Sequence, residues 1–110
     1  MSTEAIRREH HGDLVILRIR LSAIDAVWAA AIEHACGEVS PLTALDFQEV
    51  KFINSAGISA LLKFVVGMRS QGHTLVAINV RPHHRQIFKM AEIARFLPVV
   101  SEADLHASGT

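Results

Sequence analysis

The stretch from Ile58 to Met68 most narrows what this chain can become. Ile58, Leu61, Leu62, Val65 and Met68 recur at helical spacing and form one apolar face of an α-helix. A helix with one such face must lay it on something, and the sequence supplies strands on both sides of it. Before it, Ala44-Leu45-Asp46-Phe47 is short and too apolar at Leu45 and Phe47 for a sheet edge, with Val50 and Phe52 following in the connection. After it, Gln71-Gly72-His73 ends the helix, and Leu75-Val76-Ala77-Ile78-Asn79-Val80 is a continuous apolar run of the kind covered on both faces in a parallel sheet. Strand, helix, strand in that order predicts a parallel pair with the helix packed across it.

The flanking segments extend this unit. From Leu14 to Leu21, residues Val15, Leu17, Ile19 and Leu21 share one side while Ile16, Arg18 and Arg20 share the other, which predicts a strand with one wet face. Gly12-Asp13 fits a hairpin turn leading back to an edge strand that starts near Ala5. Ile24, Val27, Trp28, Ala31 and Ala35 predict a first helix by their spacing, with Asp25 at its positive end and Gly37 just past its finish, before Pro41 reopens the chain. Pro82 opens a third helix that carries Ile87, Met90 and Ala91 inward. Leu97-Pro98-Val99-Val100 predicts a weak edge strand, and Glu102 to His106 a last helical turn. The expectation is an α/β domain whose mixed, mostly parallel sheet of about five strands carries about four helices.

Half of the 110 residues are apolar and a fifth are charged, enough for one domain over 1–110 with an ordered core expected over 4–106. Eleven basic residues balance eleven acidic ones, so no surplus field is left to hold nucleic acid or an anionic membrane. Cys36 is the sole cysteine and cannot form an internal bridge. The charged start through Arg7-Arg8, and the interruption of the apolar run Phe52–Met68 by Asn54, Ser55, Ser59 and Lys63, predict a cytoplasmic chain without membrane insertion. His10-His11 and His83-His84 are sequence neighbours that do not converge on one point, so neither a metal nor a cofactor is expected. No phosphate-cradling glycine loop is present, and Ile53 stands where a hydrolase elbow needs glycine, so no enzyme is predicted.

The informative junction is Asn54-Ser55-Ala56-Gly57, between a buried strand and the helical stripe. Two readings of it stand side by side. Ser55 or Asn54 caps the free N–H groups of the helix start, or the same helix start, with small residues allowing close approach, offers Ser55 as a site for a phosphate. On the helix face turned from the core, Ser59, Ala60, Lys63 and Gly67, with Phe64 and Val66 at its margins, form a small, flat candidate docking surface. Asp46, at the carboxyl end of a central strand where ligands of open parallel sheets gather, is expected to line the same surface.

The run Ala44 to Phe47, then Val50-x-Phe52-Ile53-Asn54-Ser55-Ala56-Gly57-Ile58-x-x-Leu61-Leu62, then Gly72-x-x-Leu75-Val76-x-Ile78-Asn79-Val80 and Arg85-x-Ile87-Phe88-x-Met90, resembles the STAS domain. The free-standing members of that family include bacterial anti-sigma factor antagonists, and the resemblance spans Ile6 to about Leu105. In the family pattern the loop reads Asp-Ser-Ser/x-Gly, and its first serine is phosphorylated by the partner, a serine kinase that is itself the anti-sigma factor. The matching residues are Ser55 and Gly57; the usual aspartate is Asn54, and Ala56 leaves a single acceptor. The resemblance thus implies a switch in which the unmodified chain docks through Asp46, Asn54, Ser55, Ala56, Gly57, Ser59, Ala60, Lys63, Phe64 and Gly67, with a phosphatase as a further partner. The sequence does not fix the oligomeric state, a monomer or a weak dimer. The resemblance also implies an alternative, a non-switching adaptor subunit of a stress-signalling assembly or of a lipid-transport ABC complex.

Overall fold

Gly12, with φ +64°, and Asp13 form a two-residue turn that folds β1 (Ile6–His11) antiparallel onto β2 (Leu14–Ile19) in a computed structural model describing residues 6–35 and 42–108. The chain continues through β3 (Ala23–Ile24), α1 (Ala26–Ala35), β4 (Leu42–Asp46), β5 (Phe52–Ile53), α2 (Ser55–Ser70), β6 (Thr74–Ile78), α3 (Pro82–Met90), a 3-10 turn (Ile93–Arg95) and α4 (Glu102–Ser108). Strands β1, β2, β4 and β6 form one sheet in that order, with β2–β4 and β4–β6 parallel. The expected parallel pair on either side of the Ile58–Met68 helix is therefore β4 and β6. A separate sheet of two residues per strand pairs β3 with β5.

Register assigns the two faces of the large sheet. Val15, Leu17, Ile19, Leu45, Phe47, Leu75 and Ala77 pack with Leu61, Val65 and Met68 of α2 and Phe88 of α3 in the main core. Phe47 and Phe88 meet edge to face, ring centres 5.4 Å apart. Leu14, Ile16, Ala44 and Ile78 form a second cluster beneath Leu105 of α4. The face of β2 expected to be wet is thus covered: Ile16 is fully buried because α4 closes over it, and Arg18 on the same side is drawn into ion pairs.

Other expectations change for similar reasons. Ile24 belongs to β3 rather than to the first helix, which starts after Asp25; the Asp25 carboxylate accepts from the Trp28 N–H at 3.0 Å and caps it. Val27 and Trp28, expected inward, are 73% and 37% exposed. Met90 is also exposed, because His84 and Phe88, one turn apart, take the inward stripe of α3. α2 packs against α1, β6 and the 3-10 turn, so more than a narrow stripe is covered and Phe64 is core at 4% exposure. Leu97–Val100 does not form a full strand. Only Val99 bridges β6, where Pro98 lends its carbonyl to the Ala77 N–H and cannot donate in return. Cys36, Gly37 and Pro41 lie outside the described residues.

Candidate functional site

The parallel pairing of Ile24 with Ile53 sets the site. Two residues beyond each of them a helix begins, α1 at Ala26 and α2 at Ser55, so the two helix starts lie side by side. Asn54 closes the second: its Oδ1 accepts from the Gly57 N–H at 2.7 Å, and its carbonyl accepts the Ile58 N–H at 2.9 Å. Of the two readings of the junction, capping falls to Asn54, and Ser55 is released from that duty. Its side chain is exposed at the first helical position, and among the described residues nothing is hydrogen-bonded to its hydroxyl. The N–H groups of Ser55 and Ala56, like the opening donors of any helix, have no acceptor within the helix. That end of α2 is also the positive end of its dipole.

Gly57 has a different task. A Cβ there would lie 2.5 Å from the Ile24 carbonyl oxygen and 3.0 Å from its carbon, so the absence of a side chain lets α2 start directly against β3. Gly57 is buried, and it shapes the surface without being part of it.

The expected docking residues separate into groups. Asn54, Ser55, Ala56, Ser59 and Lys63 are exposed along the start and outer side of α2, whereas Ala60 and Gly67 are half-buried. Phe64 and Gly57 are buried and leave the surface. Asp46 leaves it as well: its side chain points to the α4 face of the large sheet, opposite α2, following the parity of Ala44. There its carboxylate receives Arg18 Nη1 at 2.9 Å, Asn79 Nδ2 at 2.9 Å and the Gln48 N–H at 2.9 Å. Arg18 also binds Glu9 at 3.0 Å and Glu102 at 2.9 and 3.0 Å, so one guanidinium ties β1, β2, β4 and α4 together. The Arg18 bond, with His11 second, holds the Glu9 carboxyl below its ordinary value of 4.5. This cluster anchors α4 and lies apart from Ser55.

Three large apolar residues not read as surface from the sequence are exposed on the elements next to the start of α2. Phe52 of β5, three residues before Ser55, is 68% exposed, and Val27 and Trp28 are exposed in the first turn of α1. Period-two reading of Phe52-Ile53 would have turned Phe52 outward had the two-residue strand been recognised. Among the described residues no group of His, Cys, Asp or Glu is placed to hold a metal, and no helix is long and apolar enough to cross a membrane.

An α/β layer with a capped helix offering a serine beside a satellite sheet has the fold of solved STAS domains. SpoIIAA, the Bacillus cell fate determinant, in its phosphorylated form superposes with a TM-score of 0.69 at 14% identity, covering 96% of this chain and 100% of that one. An anti-sigma factor antagonist from Mycobacterium paratuberculosis gives a TM-score of 0.73 at 19% identity, covering 94% and 91%. The STAS domain of a SulP transporter from Vibrio cholerae gives 0.67 at 14% identity, covering 93% and 89%. A family model described as "Mlab, STAS domain" matches residues 5–100, and the chain belongs to that family. No curated protein sequence matches it.

Proposed function

We propose that this STAS domain is an anti-sigma factor antagonist whose docking to an anti-sigma factor serine kinase is switched by phosphorylation of Ser55. The observation that carries the reading is the Ser55 hydroxyl, exposed and unbonded on the first turn of a helix whose cap is a different residue, with Phe52 exposed on the strand before it and Val27 and Trp28 exposed in the first turn of α1. Asn54, Ala56, Ser59 and Lys63 extend the contact along α2. Apolar side chains near a polar group suit a patch that another protein covers. A phosphate on Ser55 places about −1.5 to −2 charges in that patch, and burying it against the partner costs more than the contact returns. The phosphorylated SpoIIAA structure supports the reading, since that protein carries its modification on the same fold. Phosphoryl transfer and its reversal belong to the kinase and a phosphatase, while this chain supplies the acceptor.

A second reading is favoured by Asn54: the cap is a neutral amide where antagonists carry a carboxylate, as suits a non-switching adaptor in a stress-signalling assembly or a lipid-transport ABC complex. One experiment separates the two. Incubation with the cognate kinase and ATP modifies wild type and spares Ser55→Ala, and Ser55→Asp no longer captures the kinase. Label on another residue refutes the site. Capture of a transporter ATPase by both wild type and Ser55→Asp replaces the switch with the adaptor.

A further inference from the structure

α3 has a charged side that nothing within the chain answers. Arg81, Arg85 and Lys89 recur every four residues from the cap position of the helix to its last turn, and all three are exposed. With a rise of about 1.5 Å per residue they form a ridge whose charges stand about 6 Å apart. His84 and Phe88 take the buried side. Next to the ridge, beyond Gln86, stands Met90, which at 82% is the most exposed large apolar side chain among the described residues.

This arrangement works against the helix. Like charges four residues apart repel, and cations in the first turn oppose the positive end of the dipole. The first turn holds no acid, and Arg81 makes no side-chain cap. Among the described residues no carboxylate pairs with any of the three cations: Glu9, Asp46 and Glu102 are engaged by Arg18, and Glu92 by Arg95. Arg81 reaches only carbonyls, Val50 at 3.1 Å and Gln48 at 3.5 Å, and the side chains of Arg85 and Lys89 have no partner among the described residues. Repulsion kept in a helix and left unanswered inside the chain points to an anion outside it. Met90 decides which kind. A sugar-phosphate strand offers it nothing apolar, and α3 exposes no Phe, Tyr or Trp on which a base could stack. An anionic bilayer takes up a row of bulky apolar groups beside the cations, and here there is one.

We propose that the exposed side of α3 is an interaction surface for an acidic amphipathic helix of a partner protein: carboxylates one turn apart meet Arg81, Arg85 and Lys89, and an apolar side chain beside them covers Met90. The eleven basic and eleven acidic residues of the chain cancel, so the attraction is local to the ridge and acts at short range. The surface starts where Arg81 holds the segment between β4 and β5, and it does not require Ser55 to be the switch residue.

The test uses the free protein and a synthetic alanine-rich helical peptide with a glutamate at every fourth position and a leucine beside them. A second peptide has the same composition with its glutamates spread round the helix. Amide shifts are followed by NMR as each is added. The first peptide should shift the amides of Arg81 to Met90, bind about fivefold or more tightly than the second, and weaken about fivefold as salt rises from about 0.01 M to about 0.15 M. Arg85→Glu combined with Lys89→Glu should weaken it at least about tenfold, and Met90→Ser about threefold. These side chains are exposed, and unchanged amide positions outside α3 verify that the variants keep the fold. Equal binding of the two peptides, shifts that avoid α3, no shift at all, or charge reversal without effect overturns the surface. Tighter binding of a single-stranded oligonucleotide or of phosphatidylglycerol vesicles at the same amides overturns the acidic helix as its occupant. Neither kinase nor phosphate enters these measurements, so failure of the Ser55 switch leaves them unchanged.

Discussion

Gly57→Ala isolates the packing that positions Ser55. The new methyl would stand 2.5 Å from the Ile24 carbonyl oxygen and 3.2 Å from Asn54 Oδ1. The obstacle is backbone: Ile24 pairs with Ile53, and its carbonyl also accepts the Asn54 N–H at 3.2 Å, so retreat would break the small sheet. Forcing a methyl into such a site costs about 1–3 kcal/mol. Displacing Asn54 from its 2.7 Å cap on Gly57 costs about 1 kcal/mol more. Against these stands the gain from alanine's helix preference, about 0.5–1 kcal/mol. The net loss is about 2 kcal/mol, or roughly 10 °C in melting temperature for a domain of this size. The control is Gly67→Ala in the same helix, where a Cβ meets nothing within 4 Å and stability should rise by about 0.5–1 kcal/mol. Thermal unfolding of both variants reads the difference. If Gly57→Ala melts at or above wild type while Gly67→Ala is stabilised, α2 does not start against β3 as described and the placement of Ser55 is wrong.

Asn54→Ala should lower stability in urea unfolding by about 1 kcal/mol through loss of the cap, whereas Asn54→Asp should retain it, since a carboxylate also caps and meets the positive end of the helix. Thr43→Val should stabilise by about 1 kcal/mol, because the Thr43 hydroxyl is buried with no hydrogen-bond partner; a loss of stability would reveal a bond to it. Arg18→Met should cost about 2–4 kcal/mol and more than Glu102→Gln, since it leaves Glu9, Asp46 and Glu102 without their shared cation. The Glu9 carboxyl, lowered by Arg18 and then His11, contributes stability that is present above its ordinary 4.5 and lost as pH falls through the lowered folded value. Glu9→Gln should remove that part of the acid-side slope in urea midpoints measured from about pH 6 to pH 3.

The parallel β4–α2–β6 unit was legible because period and burial agree there: Leu45, Phe47, Leu61, Val65 and Leu75 are apolar and all buried. Sequence patterns also placed the β1–β2 turn and the serine at the head of α2. They failed where a second layer covers a face that looks polar. Arg18 between Leu17 and Ile19 resembles a solvent residue until Glu9, Asp46 and Glu102 are brought to it from 9, 28 and 84 positions away. The same holds for Asp46, whose place at a strand's carboxyl end was read correctly but whose side of the sheet depends on register, which local pattern does not fix. Val27 and Trp28 were misplaced because a helix only ten residues long gives the period little to act on, and because Ile24 belongs to a two-residue strand. Such strands are too short for any alternation to show.

Under the proposed switch, the small β3–β5 sheet lets a charge on Ser55 act on docking without unfolding the domain. The large sheet and its two apolar clusters do not include the serine, and the cap on α2 is made by Asn54, so the hydroxyl is free of structural duty. Stability then places no demand on Ser55, and the helix start accommodates either a hydroxyl or a phosphate. The exposed Phe52 is the counterpart: it belongs to the strand pairing that leads directly to Ser55. The same few backbone bonds, at Ser22, Ile24 and Asn54, set this position, and Arg81 at the start of α3 adds a bond to the Val50 carbonyl in the segment leading to it. A perturbation there acts on the contact surface first and on the global fold second, which is the order a partner switch requires.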